Sequence, residues 1–297
     1  MMREASVILF ESTSHARTRE RALVLQAVGI PHEIVTEGPR SLLLVPASAA
    51  GEAQHELDAW QTENRDWRPP QRLRPWQRLN PWPGLAGYLL VVCVLAWASA
   101  ESALGLDWFG AGRVNAALVR DGEWWRTVTA LTLHVDLGHL TANLVFGLGF
   151  GLFAGQYLGA GVAWLAIVAA GALGNAANAW IQPSDHNSVG ASTAIFGALG
   201  LIAAFAWRRR LYPQDRWVYR LGPIVGAVAL LAYTGSGGER TDVGAHLTGF
   251  LCGGVLGLAA ARLDTKRLAP ARVQVWAGIA TAVLLAISWL LAFRHWP

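Results

Sequence analysis

Seven apolar segments follow one another from residue 84 onward, at roughly 84–104, 137–157, 160–180, 190–207, 221–236, 243–261 and 273–293. Each approaches the ~20 apolar residues that a helix needs to cross a hydrocarbon core. In lipid every backbone polar group has to be bonded internally, so a chain with this pattern folds as a helix bundle. Composition agrees, with 53% hydrophobic and only 15% charged residues. That balance excludes an ordinary soluble enzyme. A net charge of +4 over 297 residues is too dilute for a nucleic-acid partner, and the lipid bilayer is the partner expected instead. Cys93 and Cys252 each lie inside an apolar run, where no disulfide between them is expected.

Arginine and lysine set the orientation. Arg65, Arg68, Arg72, Arg74 and Arg78 precede the first span. Arg208, Arg209, Arg210, Arg216 and Arg220 follow the fourth, and Arg262, Lys266, Arg267 and Arg272 follow the sixth. The alternate connections carry Glu101, Asp107, Asp121, Glu123, Glu239 and Asp242 among fewer arginines. The expectation is a multi-pass protein of the cell's inner (plasma) membrane, with a cytosolic N-terminus and the C-terminus on the outer side. The N-terminal ends of spans two, four and six then share the outer side.

Residues 1–65 read differently. A short β-branched run at Ser6–Ser12 precedes an amphipathic helix over Ser14–Gly29. Two strands, His32–Glu37 and Ser41–Val45, flank a Gly38–Pro39 turn. A second helix runs over Ser48–Asn64 with Ser48 as its N-cap. The order β-α-β-β-α predicts a small soluble cytosolic α+β domain. It resembles small bacterial domains described as signal-transducing modules. His15, His32 and His55 are scattered with no catalytic spacing, which leaves the domain regulation, docking of a regulatory partner, or stability. The N-terminus has no long apolar core before a small-residue cleavage site, so no signal peptide is expected. Residues 66–83 read as a Pro/Arg/Trp-rich linker lying on the membrane surface.

Polar groups inside apolar spans are costly and default to a functional hypothesis. Three sets occur here, each at the outer end of a span. His139 and Asn143 are spaced i, i+4 on one face of the second span, with His134 five residues earlier, in the loop. Ser192 opens the fourth span within SVGASTAIFGALG, and His246 lies about one turn into the sixth within DVGAHLTGFLCGG. A serine at a helix start sits among backbone N–H groups with no intrahelical partner, which favour a developing negative charge. The plain alternative makes Ser192 one more small residue in a helix interface. Gly197 and Gly200 on one span and Gly249 and Gly253 on the other allow close approach, so that His246 reaches Ser192 as general base.

These motifs resemble, in order, those of the rhomboid family of intramembrane serine proteases over residues 84 to about 262. Glu123-Trp124-Trp125-Arg126 is similar to the family's Trp-Arg element, and His134, His139 and Asn143 reproduce its H-x4-H-x3-N. Gly190-Ala191-Ser192 fits Gly-x-Ser, and Ala245 to Gly249 with Gly253 fits A-H-x-x-G-x-x-x-G. The resemblance implies a Ser192 nucleophile and a His246 general base without an acid. It implies an oxyanion site of His139, Asn143 and the Ser192 N–H, with Gly190 and Thr193 beside it. His134, Phe196, Gly249, Gly253, Trp125 and Arg126 are implied as supporting residues. It further implies transmembrane protein substrates and neither metal nor cofactor. The expected fold is an all-α polytopic membrane protein with a six-helix core over 84–262. A linker and seventh transmembrane helix follow over 263–297, and the small α+β domain precedes the core.

Two positions depart from the family. Thr193 stands where glycine usually follows the serine, and its branched side chain either crowds the oxyanion region or hydrogen-bonds locally. Phe196 keeps the ring that a family tyrosine packs on the histidine but loses the hydroxyl. Two competing classes differ in what they leave unexplained. An inactive rhomboid-like protein that binds transmembrane clients would normally lack the serine or the histidine. A metal or proton pathway through His134, His139 and His246 gives no role to Ser192 or Asn143.

Overall fold

The computed structural model of the chain describes residues 5–65, 78–209, 211, 217–235 and 241–296. They fall into two compact units, residues 1–70 and 71–297.

The first unit runs β1 (Ser6–Ser12), α1 (His15–Ala27), β2 (Glu33–Glu37), β3 (Arg40–Pro46) and α2 (Ala50–Glu63). The strands form an antiparallel sheet in the order β1-β3-β2. Gly38 takes φ +60° at the first position of the two-residue β2–β3 hairpin, a backbone that glycine adopts without strain. Leu43 and Val45 of β3 pack with Ala22 and Leu25 of α1 and Ala53 and Leu57 of α2. Ser48 does not cap α2. It sits in a 3-10 turn, Ala47–Ala49, so the helix starts two residues later with Ala49 at the N-cap.

The second unit opens with α3 (Trp82–Ala100). The linker was expected to end at Pro83, but the helix already includes it. A proline in the first helical turn gives up an N–H that has no intrahelical partner anyway. Residues 66–77 of that linker lie outside the described residues. The connection to the next long helix is folded, with α4 (Trp108–Gly112), β4 (Val114–Asn115), α5 (Ala116–Arg120) and α6 (Arg126–Thr129). The long helices α7 (Leu137–Leu158) and α8 (Ala160–Ile181) follow, and then β5 (Asn187–Ser188), which pairs antiparallel with β4. The remainder is α9 (Ser192–Arg209), α10 (Trp217–Gly235), α11 (Val243–Ala260), the single turn α12 (Thr265–Leu268) and α13 (Ala271–Arg294). A helix therefore stands at each of the seven apolar segments. Among the described residues α3, α7, α8, α11 and α13 are long and apolar enough to cross a membrane.

Helix α9 is the axis of this unit. Every residue from Thr193 to Ala206 except Ile202 is buried, the pattern of a helix enclosed on all sides. It packs against α7, α8, α10 and α11. Contact with α11 is close because a Cβ at Gly249, Gly253 or Gly257 would overlap the carbonyl oxygens of Thr193, Gly197 and Leu201 respectively. Gln274 of α13 ties the seventh helix to the α7–α8 corner. Its amide donates to the Leu158 and Leu268 carbonyls, and its oxygen accepts from the Gly161 N–H at 2.8 Å. Cys93 and Cys252 are free thiols.

Candidate active site

The three polar sets meet at one end of the bundle. Asp136 caps α7 by accepting from the His139 N–H at 2.7 Å, which fixes the first turn that carries His139. Asp242 caps α11 in the same way, accepting from the Ala245 N–H at 3.0 Å. Gly190, with φ +131°, turns the chain into α9, and its N–H donates to the Ala130 carbonyl at 2.9 Å. A side chain at this position would also collide with the His139 ring.

His246 Nε2 lies 2.9 Å from Ser192 Oγ. When Nε2 accepts the serine proton, the neutral ring carries its own proton on Nδ1. Phe196 packs on the His246 ring with centroids 4.4 Å apart and planes at 39°. The ring contact anticipated for Phe196 is thus present without a hydroxyl. A cleft of about 820 Å³ opens beside the pair, lined among others by His139, Asn143, Phe146, Ser192, Phe196 and His246. Tyr88 holds the α7 backbone at this depth by donating its hydroxyl to the Asn143 carbonyl at 2.8 Å. The Asn143 side-chain nitrogen is buried and has no hydrogen-bond partner among the described residues. A buried amide donor left open in this way is equipped to meet an incoming acceptor.

The supporting residues sit further out. His134 stacks edge-on against His139 at 5.2 Å. Burial, joined by the neighbouring His139 ring, pulls its imidazole from 6.5 down to about 4, so it is neutral at pH 7. Arg126 is 2% exposed, pairs with Glu123, and donates to the Gly110 and Arg113 carbonyls. Trp125 packs on His295 at the end of α13. These two residues organise the α3–α7 connection rather than the serine itself. Gly249 and Gly253 set the α9–α11 distance. Thr193 is outside the cleft: it is 2% exposed, and a Cβ added at Gly174 or Gly249 would meet its methyl at 2.9 Å. Its side chain therefore fills the α8–α9–α11 contact instead of crowding the serine.

One group escaped the sequence reading. Asp242 Oδ2 accepts from the Asn178 amide of α8 at 2.8 Å and lies 2.8 Å from His186 Nε2. Burial works against the charged carboxylate. Hydrogen bonds from the Ala245 N–H, His186 and Ser188 outweigh it and hold Asp242 below its usual range. This network anchors the first turn of α11, whose His246 N–H bonds the Asp242 carbonyl at 3.1 Å. An aspartate just before an apolar run is a legible cap. Its partners 64 and 56 residues away leave no local signal.

Fold and site together define a multi-pass membrane protein with a hydrogen-bonded serine and histidine at the starts of two packed helices. Comparison with known proteins agrees. The Rhomboid domain family matches residues 121–263. The chain is 29% identical over 192 residues to Rhomboid protease GluP of Bacillus subtilis (strain 168), covering 63% of this chain and 35% of GluP. It is 33% identical over 139 residues to YdcA of the same organism, whose name also carries the family, covering 46% of this chain and 67% of YdcA. It is 34% identical over 145 residues to Rhomboid-like protease 3 of Toxoplasma gondii, covering 48% of this chain and 54% of that protein. The chain belongs to the rhomboid family. Its matches span from about a third to two thirds of these relatives' length.

Proposed function

We propose that the protein is an intramembrane serine endopeptidase that cuts transmembrane or juxtamembrane segments of other membrane proteins. The observation that carries this reading is the 2.9 Å contact between Ser192 Oγ and His246 Nε2 beside a cleft containing Asn143 and His139. Ser192 Oγ attacks the scissile carbonyl carbon while its proton passes to His246 Nε2. The carbonyl oxygen becomes an oxyanion, held by the Ser192 N–H, the Asn143 amide and His139. Collapse of the intermediate breaks the C–N bond, and the His246 proton goes to the leaving amine. Water then adds to the acyl-serine by the same route, with His246 again taking a proton, and Ser192 is regenerated. Phe196, packed on the ring, helps to orient the base.

The site opens to the outer side, with residue 297 on that side as well. A reporter fused after Pro297 reports the outer compartment, and the reverse result contradicts this orientation. A fluorophosphonate tests the chemistry without knowledge of the substrate. The purified protein should be labelled on Ser192, and Ser192→Ala and His246→Ala should not be. Absent or Ser192-independent labelling of the folded protein would overturn the reading in favour of a rhomboid-like protein that binds transmembrane clients without cutting them.

A further inference from the structure

We infer that Arg113 is a specificity-determining residue of this cleft, pairing with an aspartate or glutamate side chain of the bound substrate segment. The inference rests on the protease reading above.

Among the described residues, and besides its histidines, the cleft carries three charged side chains: Arg113, Asp136 and Asp242. Both carboxylates have partners of their own. Asp136 caps α7, while Asp242 caps α11 and engages Asn178 and His186. Arg113 makes no side-chain hydrogen bond or ion pair among the described residues. A half-buried guanidinium has lost part of its water, and its planar fork matches a carboxylate in two-bond geometry.

The backbone of Arg113 is held on both sides. Its N–H donates to the Phe109 carbonyl at 3.1 Å, and its carbonyl accepts from buried Arg126 at 3.0 Å. The next residue, Val114, pairs with Ser188 across the β4–β5 ladder. Continuing that register sets Arg113 opposite Val189, three residues before Ser192. Arg113 also lines the same cleft as Ser188, Val189 and Ser192, the segment that leads into the nucleophile. The remaining wall includes Phe109, Val135, Phe146 and Phe150. The wall also carries Asn187, Ser188 and Thr241, so an acidic residue in a segment of mixed polarity fits this lining.

The test uses the full-length chain in phosphatidylcholine nanodiscs and fluorescent single-span peptides. These carry Asp, Asn or Lys at successive positions across their outer boundary. Binding is read with Ser192→Ala protein, and cleavage with the parent. At one position Asp should bind about tenfold more tightly than Lys, and kcat/KM should follow the same order. Arg113→Gln should flatten the preference, Arg113→Lys keep part of it, and Arg113→Glu reverse it. A ratio within about twofold at every position overturns the inference, as does a preference that survives Arg113→Glu. Charge-independent peptide binding, together with loss of phosphatidylglycerol vesicle affinity in Arg113→Glu, assigns the fork to lipid phosphate and also overturns it. Failure of the parent to cut the Asn peptide counts against the protease reading, whereas the Ser192→Ala binding series reads the charge preference without turnover.

Discussion

His246 meets Ser192 because a few side chains fix where two helices begin. Asp242 locks the first turn of α11 through Ala245, Asn178 and His186, and Gly190 supplies the φ of +131° that turns the chain into α9 against the His139 ring. His134 stands behind them as a buried neutral imidazole and adds a pH dependence. Its pKa is lower folded than unfolded, so its contribution to stability is complete above about 6.5. That contribution is lost progressively as the pH falls towards about 4. Asp242, also depressed, gives support that is lost only at lower pH, below 3.8. Thermal unfolding in detergent should show a midpoint that drops between pH 6.5 and 4, and His134→Gln should flatten that drop. An unchanged slope in the variant would mean that His134 is not the group titrating.

At the scale of elements, the α9–α11 contact depends on the absence of side chains. A Cβ at Gly253 would overlap the Gly197 carbonyl, which belongs to helix backbone and cannot swing aside. Gly253→Leu should therefore cost at least about 1–3 kcal/mol in stability and separate Ser192 from His246. Reduced fluorophosphonate labelling together with a lowered unfolding midpoint would show this, and full labelling at an unchanged midpoint would refute it. This contact is legible in Gly197 and Gly200 on one span and Gly249 and Gly253 on the other, because small residues about one turn apart mark a helix face directly. The seven apolar segments were legible for a similar reason, since length and hydropathy are local properties. Two boundaries were misjudged where local rules compete. Pro83 reads as a helix breaker yet fits the first turn of α3, and Ser48 reads as a cap yet falls in a 3-10 turn. What stayed hidden was three-dimensional. The Asp242–His186–Asn178 bonds, the Tyr88–Asn143 bond and the Val114–Ser188 pairing beside Arg113 all join residues far apart in the chain. Thr193 was hidden in another way. A residue beside the nucleophile reads as part of the site, but the helix turns its side chain into the α8–α11 contact.

At the scale of the whole molecule, two compact units divide the work. The first has its own core of Leu25, Leu43, Val45 and Ala53, and every residue proposed to act on substrate lies in the second. Removing residues 1–65 should leave cleavage of a detergent-solubilised model substrate largely intact. Complete loss in a truncated protein that still unfolds cooperatively would mean that the first unit completes the site. Within the second unit, α13 reaches back over the α3–α7 connection. Trp289 packs with Trp108 at 5.0 Å, and a side chain at Gly112 would strike Trp289. The seventh helix thereby braces the connection that supplies Phe109 and Arg113 to the cleft. In the proposed reaction one serine, activated by one histidine, breaks a peptide bond of a membrane-spanning segment. The most direct measurement is cleavage of a purified single-span substrate in proteoliposomes by the parent and by Ser192→Ala, matched for folding by thermal unfolding. The parent should yield two fragments and Ser192→Ala none, whereas cleavage by Ser192→Ala at the parent's rate and position would contradict it.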